Sequence, residues 1–147
     1  MKEIRTEIDI EASADRVWHS LTDFPAFAEW NPFIRHVSGV PKVGTKLEVF
    51  MQSSGTRGMT FRPTVTKADR NRELRWLGHL GVPGLFDGEH IFEIEEAGPK
   101  RVRFVQRERF RGILVPLLTR SLDRDARRGF EEMNRALRTR TESMPPP

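Results

Sequence analysis

Pro116 divides the chain into two hydrophobic periods, and that division limits the folds open to it. Upstream, polar and apolar side chains alternate with the period of two that a half-buried strand needs. Downstream, Leu118, Leu122, Ala126, Phe130, Met133 and Leu137 recur at helical spacing, with Arg124, Arg127, Arg128, Glu131 and Arg135 mostly off that stripe. A long amphipathic helix after a run of strands has to bury its stripe against the sheet those strands make.

The first strand is the clearest. Between Glu3 and Glu11, Ile4, Thr6, Ile8 and Ile10 alternate with Arg5, Glu7 and Asp9. Ser13 then stands where it can cap ADRVWHSL, with Asp15 near the positive end of the helix dipole. Val17, Trp18 and Leu21 share a helical face, and Trp18 and Leu21 are assigned to the core. In DFPAFAEWNPF, Pro25 and Pro32 bracket a second short helix that carries Phe27 and Trp30.

From Ile34 to Arg111 the sequence predicts a meander of strands. Gly39, Pro41 and Gly44 mark one turn, Gly55 and Gly58 a second, and Asp69 to Arg72 a third. Val82-Pro83-Gly84 suits a type II turn, and Gly98-Pro99 marks the last. Short connections make neighbouring strands antiparallel. The expected fold is therefore α+β: strand, two short helices, antiparallel strands and a long helix, with the helices on one face of a curved sheet. The 147 residues suit one domain, 1–142, followed by a Pro-rich tail, 143–147, expected to be disordered.

Several chemistries drop out at this level. The chain has no cysteine, which excludes disulfides, thiolate catalysis and sulfur-ligated zinc. Its N-terminus lacks the apolar run of a secretory leader, and ILVPLL, the longest apolar stretch, is far too short to span a bilayer. A cytoplasmic protein is the expectation. Lys plus Arg (25) exceeds Asp plus Glu (21) by 4, an excess too small to select an anionic partner.

The stretch RWLGHLGVPGLFDGEH, Arg75 to His90, holds two histidines, an aspartate and a glutamate around one turn. Strand parity separates them. Trp76 and Phe92 mark the core face; His90 has the parity of Phe92, whereas His79 lies opposite Trp76. A metal site needs at least three convergent ligands, so none is expected here, and His79 reads as a surface or groove histidine.

The strand Arg101 to Gly112 is more unusual. Arg101, Arg103, Val105, Arg107, Arg109 and Arg111 form its outer face, which turns Gln106 and Glu108 inward with Phe104 and Phe110. An inward carboxylate is unfavourable unless it is paired or protonated. Two arrangements meet that requirement: Glu108, Gln106 and His90 satisfy one another, or they face a wet cavity.

The pattern IDIEASADRVWHSLTDFPAFAEWNPFI, then RELRW, GLFDGEHIFEIEE and ERFRGIL, then a helix ending in MNRALR, resembles the START-related, birch-pollen-allergen-like (SRPBCC) superfamily. Within it the chain is similar to the polyketide cyclase/dehydrase-like branch, from Glu3 to about Glu142. The resemblance implies a helix-grip fold, a bent antiparallel sheet wrapped around the C-terminal helix with an apolar cavity between them. It also implies a ligand-binding wall from the strand residues Val49, Met51, Phe61, Trp76, His90 and Phe92, with Gln106, Glu108 and Phe110. The helix would add Leu118, Leu122, Phe130 and Met133, with Asn134 a further candidate. Packing in the core is the competing role for each apolar member of that set.

Three functions are weighed on this basis. The leading one is binding of a hydrophobic small molecule, such as a lipid or polyketide, by a carrier or sensor whose entrance is bordered by Gly81 to Gly84 and ILVPLL. The second is a cyclase or dehydratase in which Glu108 or His90 is the catalytic general base and Gln106 steadies an oxyanion. The third, nucleic-acid or membrane binding through the outer arginines, is disfavoured. That face lacks interleaved aromatics, and Glu89, Glu93 and Glu95 on the next strand neutralise part of it. No cofactor and no metal are expected, the partner is a small molecule and not nucleic acid, and monomer and homodimer both stay open.

Overall fold

The structure, a computed structural model, describes residues 1–143. Eight strands form: β1 (Lys2–Ile10), β2 (Ile34–Ser38), β3 (Glu48–Met51), β4 (Met59–Phe61), β5 (Thr64–Asp69), β6 (Glu73–His79), β7 (Asp87–Gly98) and β8 (Arg101–Arg111). The helices are α1 (Ala14–Thr22), α2 (Phe27–Trp30), α3 (Val115–Ser121) and α4 (Arg127–Glu142), the last two continuous through a π turn at Leu122–Ala126. The expected tail lies outside the described residues apart from Ser143, whose amide caps α4 by donating to Thr139 and Thr141.

The predicted meander is divided. One sheet runs β1-β8-β7-β6-β5 and the other β2-β3-β4, all antiparallel. They join at a bridge between Lys46 and Thr64, where the Leu47 amide donates to Pro63 at 2.8 Å and the Val65 amide to Thr45 at 2.9 Å. The result is a curved antiparallel sheet around a 28-residue helix, the helix-grip arrangement. Between β6 and β7, Val82-Pro83-Gly84 makes the anticipated turn: Leu85 donates to the Val82 carbonyl and Gly84 has φ 91°.

Local signals explain the elements that hold the sheet to the helices. The Ser13 hydroxyl accepts from the Arg16 amide at the start of α1. α1 buries Val17 and Leu21 fully, while Trp18 packs half-buried at the edge of the core. Pro116 lies in the first turn of α3, where a missing N–H breaks no bond. Gly129 lets α4 approach the β2 entry: a Cβ there would stand 2.2 Å from Phe33 Cδ1, so only glycine leaves room for the Phe33 ring beside Phe130.

The π turn has a cause in the spacing of the helix stripe. Leu118, Leu122, Ala126 and Phe130 lie four apart, and on a helix each such step overshoots by about 40°. Three steps would carry Phe130 about 120° off the inner face; one extra residue per turn offsets about 100° of that drift. The Asp125 carbonyl within the turn accepts from the buried Ser53 hydroxyl at 2.7 Å, so β3's outgoing loop fastens the widened segment.

On the arginine-rich outer face of β8, Arg101, Arg103, Arg107 and Arg109 are ion-paired. Arg107 bridges Glu3 at 2.9 Å and Glu93 at 2.7 Å, and its guanidinium holds the Glu3 carboxyl below the usual carboxylate range. Parity alone misses one feature of this face: Ile91 and Val105 point outward yet are fully buried. Ile91 stands between Arg75 and Arg107, and Val105 between Glu7 and Glu93, whose aliphatic stems can cover them.

Candidate functional site

A cavity of about 370 Å³ lies between the concave side of the sheet and the α3–π segment of the helix. Val49, Met51, Phe61, Trp76, Glu108, Phe110, Leu118 and Leu122, all anticipated, line it. His90, Phe92, Gln106, Phe130 and Met133, also anticipated, are fully buried and belong to the core behind that lining. The reason is steric. The His90 ring stacks on Phe92 at 4.3 Å and lies 5.1 Å from Phe130 and 5.6 Å from Trp76, so aromatic rings separate it from open space.

Gln106 is likewise committed elsewhere, which removes it as a donor to a developing oxyanion in the cavity. Its amide nitrogen donates to Asn134 Oδ1 at 2.8 Å and, weakly, to the Phe130 carbonyl at 3.4 Å. Asn134 Nδ2 donates to Thr6 Oγ1 at 2.9 Å, and the Thr6 hydroxyl donates to the Gln106 carbonyl at 3.1 Å. Backbone carbonyls can only accept, so they fix the direction of the whole chain. Gln106 Oε1 must therefore accept from His90 Nε2, 2.9 Å away. The proton sits on Nε2, and Nδ1 carries a lone pair.

That lone pair faces Glu108. Nδ1 is 3.5 Å from Glu108 Oε1 but makes no hydrogen bond there or elsewhere. Burial holds His90 neutral, its pKa brought down to about 4 against a weaker opposing effect of the Gln106 bond. Burial also pushes the Glu108 carboxyl up to about 8. The side chain of Glu108 is 15% exposed and reaches the cavity. The two inward arrangements foreseen for the polar groups thus coexist: Gln106, Asn134, Thr6 and His90 satisfy one another, while Glu108 faces open space.

Gly88 makes that position possible. It pairs with Phe110 across β7 and β8, and a Cβ on it would stand 2.5 Å from Glu108 Oε2. The parity that turns His90 inward turns Gly88 inward too, so this lining residue was readable from the strand pattern. Phe33, Ser53, Thr56 and Arg57 also line the cavity, and strand parity does not mark them because they lie outside the strands, before β2 and between β3 and β4. Met59, which joins them, has the parity of Phe61 on β4. His79 stands at the wall on the turn, its Nδ1 2.7 Å from Asp87, whose carboxyl this bond holds below the usual range. Among the described residues no three His, Asp or Glu side chains gather as metal ligands.

The exposed members of the lining, Arg57, Met59, His79, Leu80, Leu118 and Ser121, mark the mouth. The loop Gly81 to Gly84 and the ILVPLL segment meet beside it: Ile113 donates to the Gly84 carbonyl and Leu114 to that of Leu85, both at 3.1 Å.

Residues 1–142 match the family described as polyketide cyclase / dehydrase and lipid transport. No curated protein matches the sequence. Among solved structures, a START superfamily protein from Mycobacterium smegmatis superposes with a TM-score of 0.77 at 21% identity, covering 95% of this chain and 97% of its own. The aromatase/cyclase Zhui from Streptomyces sp. R1128 gives 0.73 at 17% identity, covering 96% and 93%. Norcoclaurine synthase from Thalictrum flavum, solved with dopamine and hydroxybenzaldehyde, gives 0.75 at 14%, covering 99% and 89%. At these identities the structures establish the fold. With its match over nearly the whole sequence and its helix-grip architecture, the chain belongs to the polyketide cyclase / dehydrase and lipid transport family, a START-like branch of the SRPBCC superfamily.

Proposed function

We propose that this chain binds a hydrophobic small molecule, such as a lipid or polyketide, in the internal cavity and acts as its carrier or sensor. The cavity itself carries the reading: about 370 Å³ walled mainly by apolar side chains, with the Glu108 carboxyl reaching in from β8. Held neutral by burial, that carboxyl offers an O–H donor without a charge. Its chemistry suits an apolar body carrying an uncharged hydrogen-bond acceptor, such as a carbonyl. The family description, which includes lipid transport, supports the same class.

Native against denaturing mass spectrometry on protein purified from its own host tests this. A bound apolar molecule released on denaturation is the expected result. A chain that is empty, and that also fails to take up a neutral apolar fluorophore from buffer, would refute the reading.

A second reading, a cyclase or dehydratase, is favoured by one observation, the facing of Glu108 and the unprotonated Nδ1 of His90. In it, Glu108 takes a proton from carbon next to a substrate carbonyl at one oxygen and passes its own proton to Nδ1. An enolate and an imidazolium result. The aromatase/cyclase and norcoclaurine synthase among the structural neighbours keep this reading in view. Glu108→Gln preserves shape but removes the relay, so turnover of any substrate should fall by about a hundredfold or more, while binding of a neutral apolar probe stays.

A further inference from the structure

The most exposed of the large apolar side chains outside the N-terminus lie on the two segments that flank the cavity mouth. Val82 is 66% exposed, Ile113 75% and Leu117 80%, and Met59, Leu80 and Leu118 join them at the mouth. Isolated exposed aliphatics are ordinary, but this group is contiguous with an apolar opening. It is also built on closed backbone. Leu80 donates to Phe86, Ile113 to Gly84 and Leu114 to Leu85, so the two loops brace each other and offer no free strand edge to a partner chain. What they present is aliphatic side chain.

The charges around this rim are unequal. Asp123 is paired with Lys2 and Asp125 with Arg124. Asp87, hydrogen-bonded to His79 and the Gly84 amide, is the carboxylate at the rim that has no Lys or Arg partner among the described residues. Among the described residues, Arg57 at the mouth, Arg111 before Ile113 and Arg120 beyond Leu117 have no carboxylate within ion-pair distance; Arg111 reaches only the Met1 sulfur. Aliphatic prongs with satisfied backbone, ringed by unpaired guanidiniums, match the chemistry of an anionic lipid surface, apolar below and negative at the headgroups. Of the outer arginines of β8 only Arg111, at the end of the strand, joins this rim; Arg101, Arg103, Arg107 and Arg109 are paired within the sheet.

We propose that the Leu80–Leu85 loop and the Ile113–Leu118 segment dock the cavity mouth on an anionic bilayer. The apolar tips enter the headgroup boundary and Arg57, Arg111 and Arg120 meet lipid phosphates. Docking so placed gives an apolar ligand a path between bilayer and cavity that avoids water, a consequence that rests on the ligand-binding reading above; the docking surface itself does not.

Vesicle co-sedimentation tests the proposal with the full chain and with a Val82→Asp/Leu117→Asp double variant, neither position lining the cavity. Vesicles of phosphatidylcholine with about 30% phosphatidylglycerol should carry down the unaltered chain, and phosphatidylcholine alone much less. The double variant should bind the anionic vesicles about tenfold more weakly or worse, and about 0.5 M salt should weaken the unaltered chain. Uptake of N-phenyl-1-naphthylamine from lipid-free buffer reads the cavity separately. A variant that keeps this uptake and loses vesicle binding supports docking. An unaltered chain that takes up the fluorophore yet ignores anionic vesicles overturns docking and leaves the cavity reading standing. Equal vesicle binding by the variant overturns it too. So does a dimer in lipid-free buffer that the variant splits, which would give the patch to a second copy.

Discussion

His90 Nδ1 and Glu108 Oε1 lie 3.5 Å apart across paired strands, with no hydrogen bond between them. Each is held in its neutral form by burial, and the proton positions follow from a hydrogen-bond chain anchored on two backbone carbonyls. A carboxylic acid facing a bare imidazole nitrogen at the edge of an apolar cavity is a pair poised for proton exchange.

Stability should depend on pH through this pair. Glu108 titrates near 8 in the fold against an ordinary 4.5, so over that interval the unfolded chain binds fewer protons and stability falls as pH rises. His90 titrates near 4 against an ordinary 6.5, so between those values stability rises with pH. The two oppose each other where the windows overlap, and from 6.5 to 8 Glu108 acts alone. Denaturant titrations should show stability dropping there by about 2 kcal/mol at most, a drop that Glu108→Gln removes. An unchanged slope in the variant would assign the effect elsewhere.

Gly88→Ala should displace the Glu108 carboxyl, because the new methyl would stand 2.5 Å from Oε2. The carboxyl is the free end of a flexible side chain beside open space, so stability should change little while the cavity loses its polar anchor. Uptake of a carbonyl-bearing fluorophore should weaken more than uptake of a plain hydrocarbon one. Equal weakening would mean that Glu108 does not select the ligand.

Gln106→Leu removes two partners at once, leaving the His90 Nε2–H and Asn134 Oδ1 unpaired in the core. Unfolding should be easier by about 1–3 kcal/mol for each orphaned group. Gln106→Glu is the informative companion, since a carboxylate there would favour a protonated His90. Its imidazole resonances should titrate at higher pH than in the unaltered chain; no movement would argue against the assigned tautomer.

Leu122→Trp fills the cavity from the π turn, where Leu122 lines the wall and is only half-buried. Fluorophore uptake should fall about tenfold with little change in melting temperature, since a void is being filled and no contact removed. Retained uptake would place the binding site outside this cavity.

Sequence pattern carried the order of elements (a strand, two short helices, a run of antiparallel strands and the long helix) and the inward turn of Glu108, Gln106 and His90, because alternation and helical spacing are local consequences of which face is wet. Even the π turn left a trace in the repeated four-residue spacing from Leu118 to Phe130. The division into two sheets and the burial of Ile91 and Val105 beneath charged neighbours left none.

What the sequence by itself determined was which side chains face inward. What only the tertiary structure decided was which of those meet empty space. Glu108 reaches the cavity and Gln106, two residues away on the same face, does not. Asn134 of α4 and the Phe130 carbonyl close over Gln106, whereas Gly88 and the widened turn at Leu122–Ala126 leave room beside Glu108. Parity sets a direction along one strand; whether anything occupies that direction depends on an element that arrives from far along the chain.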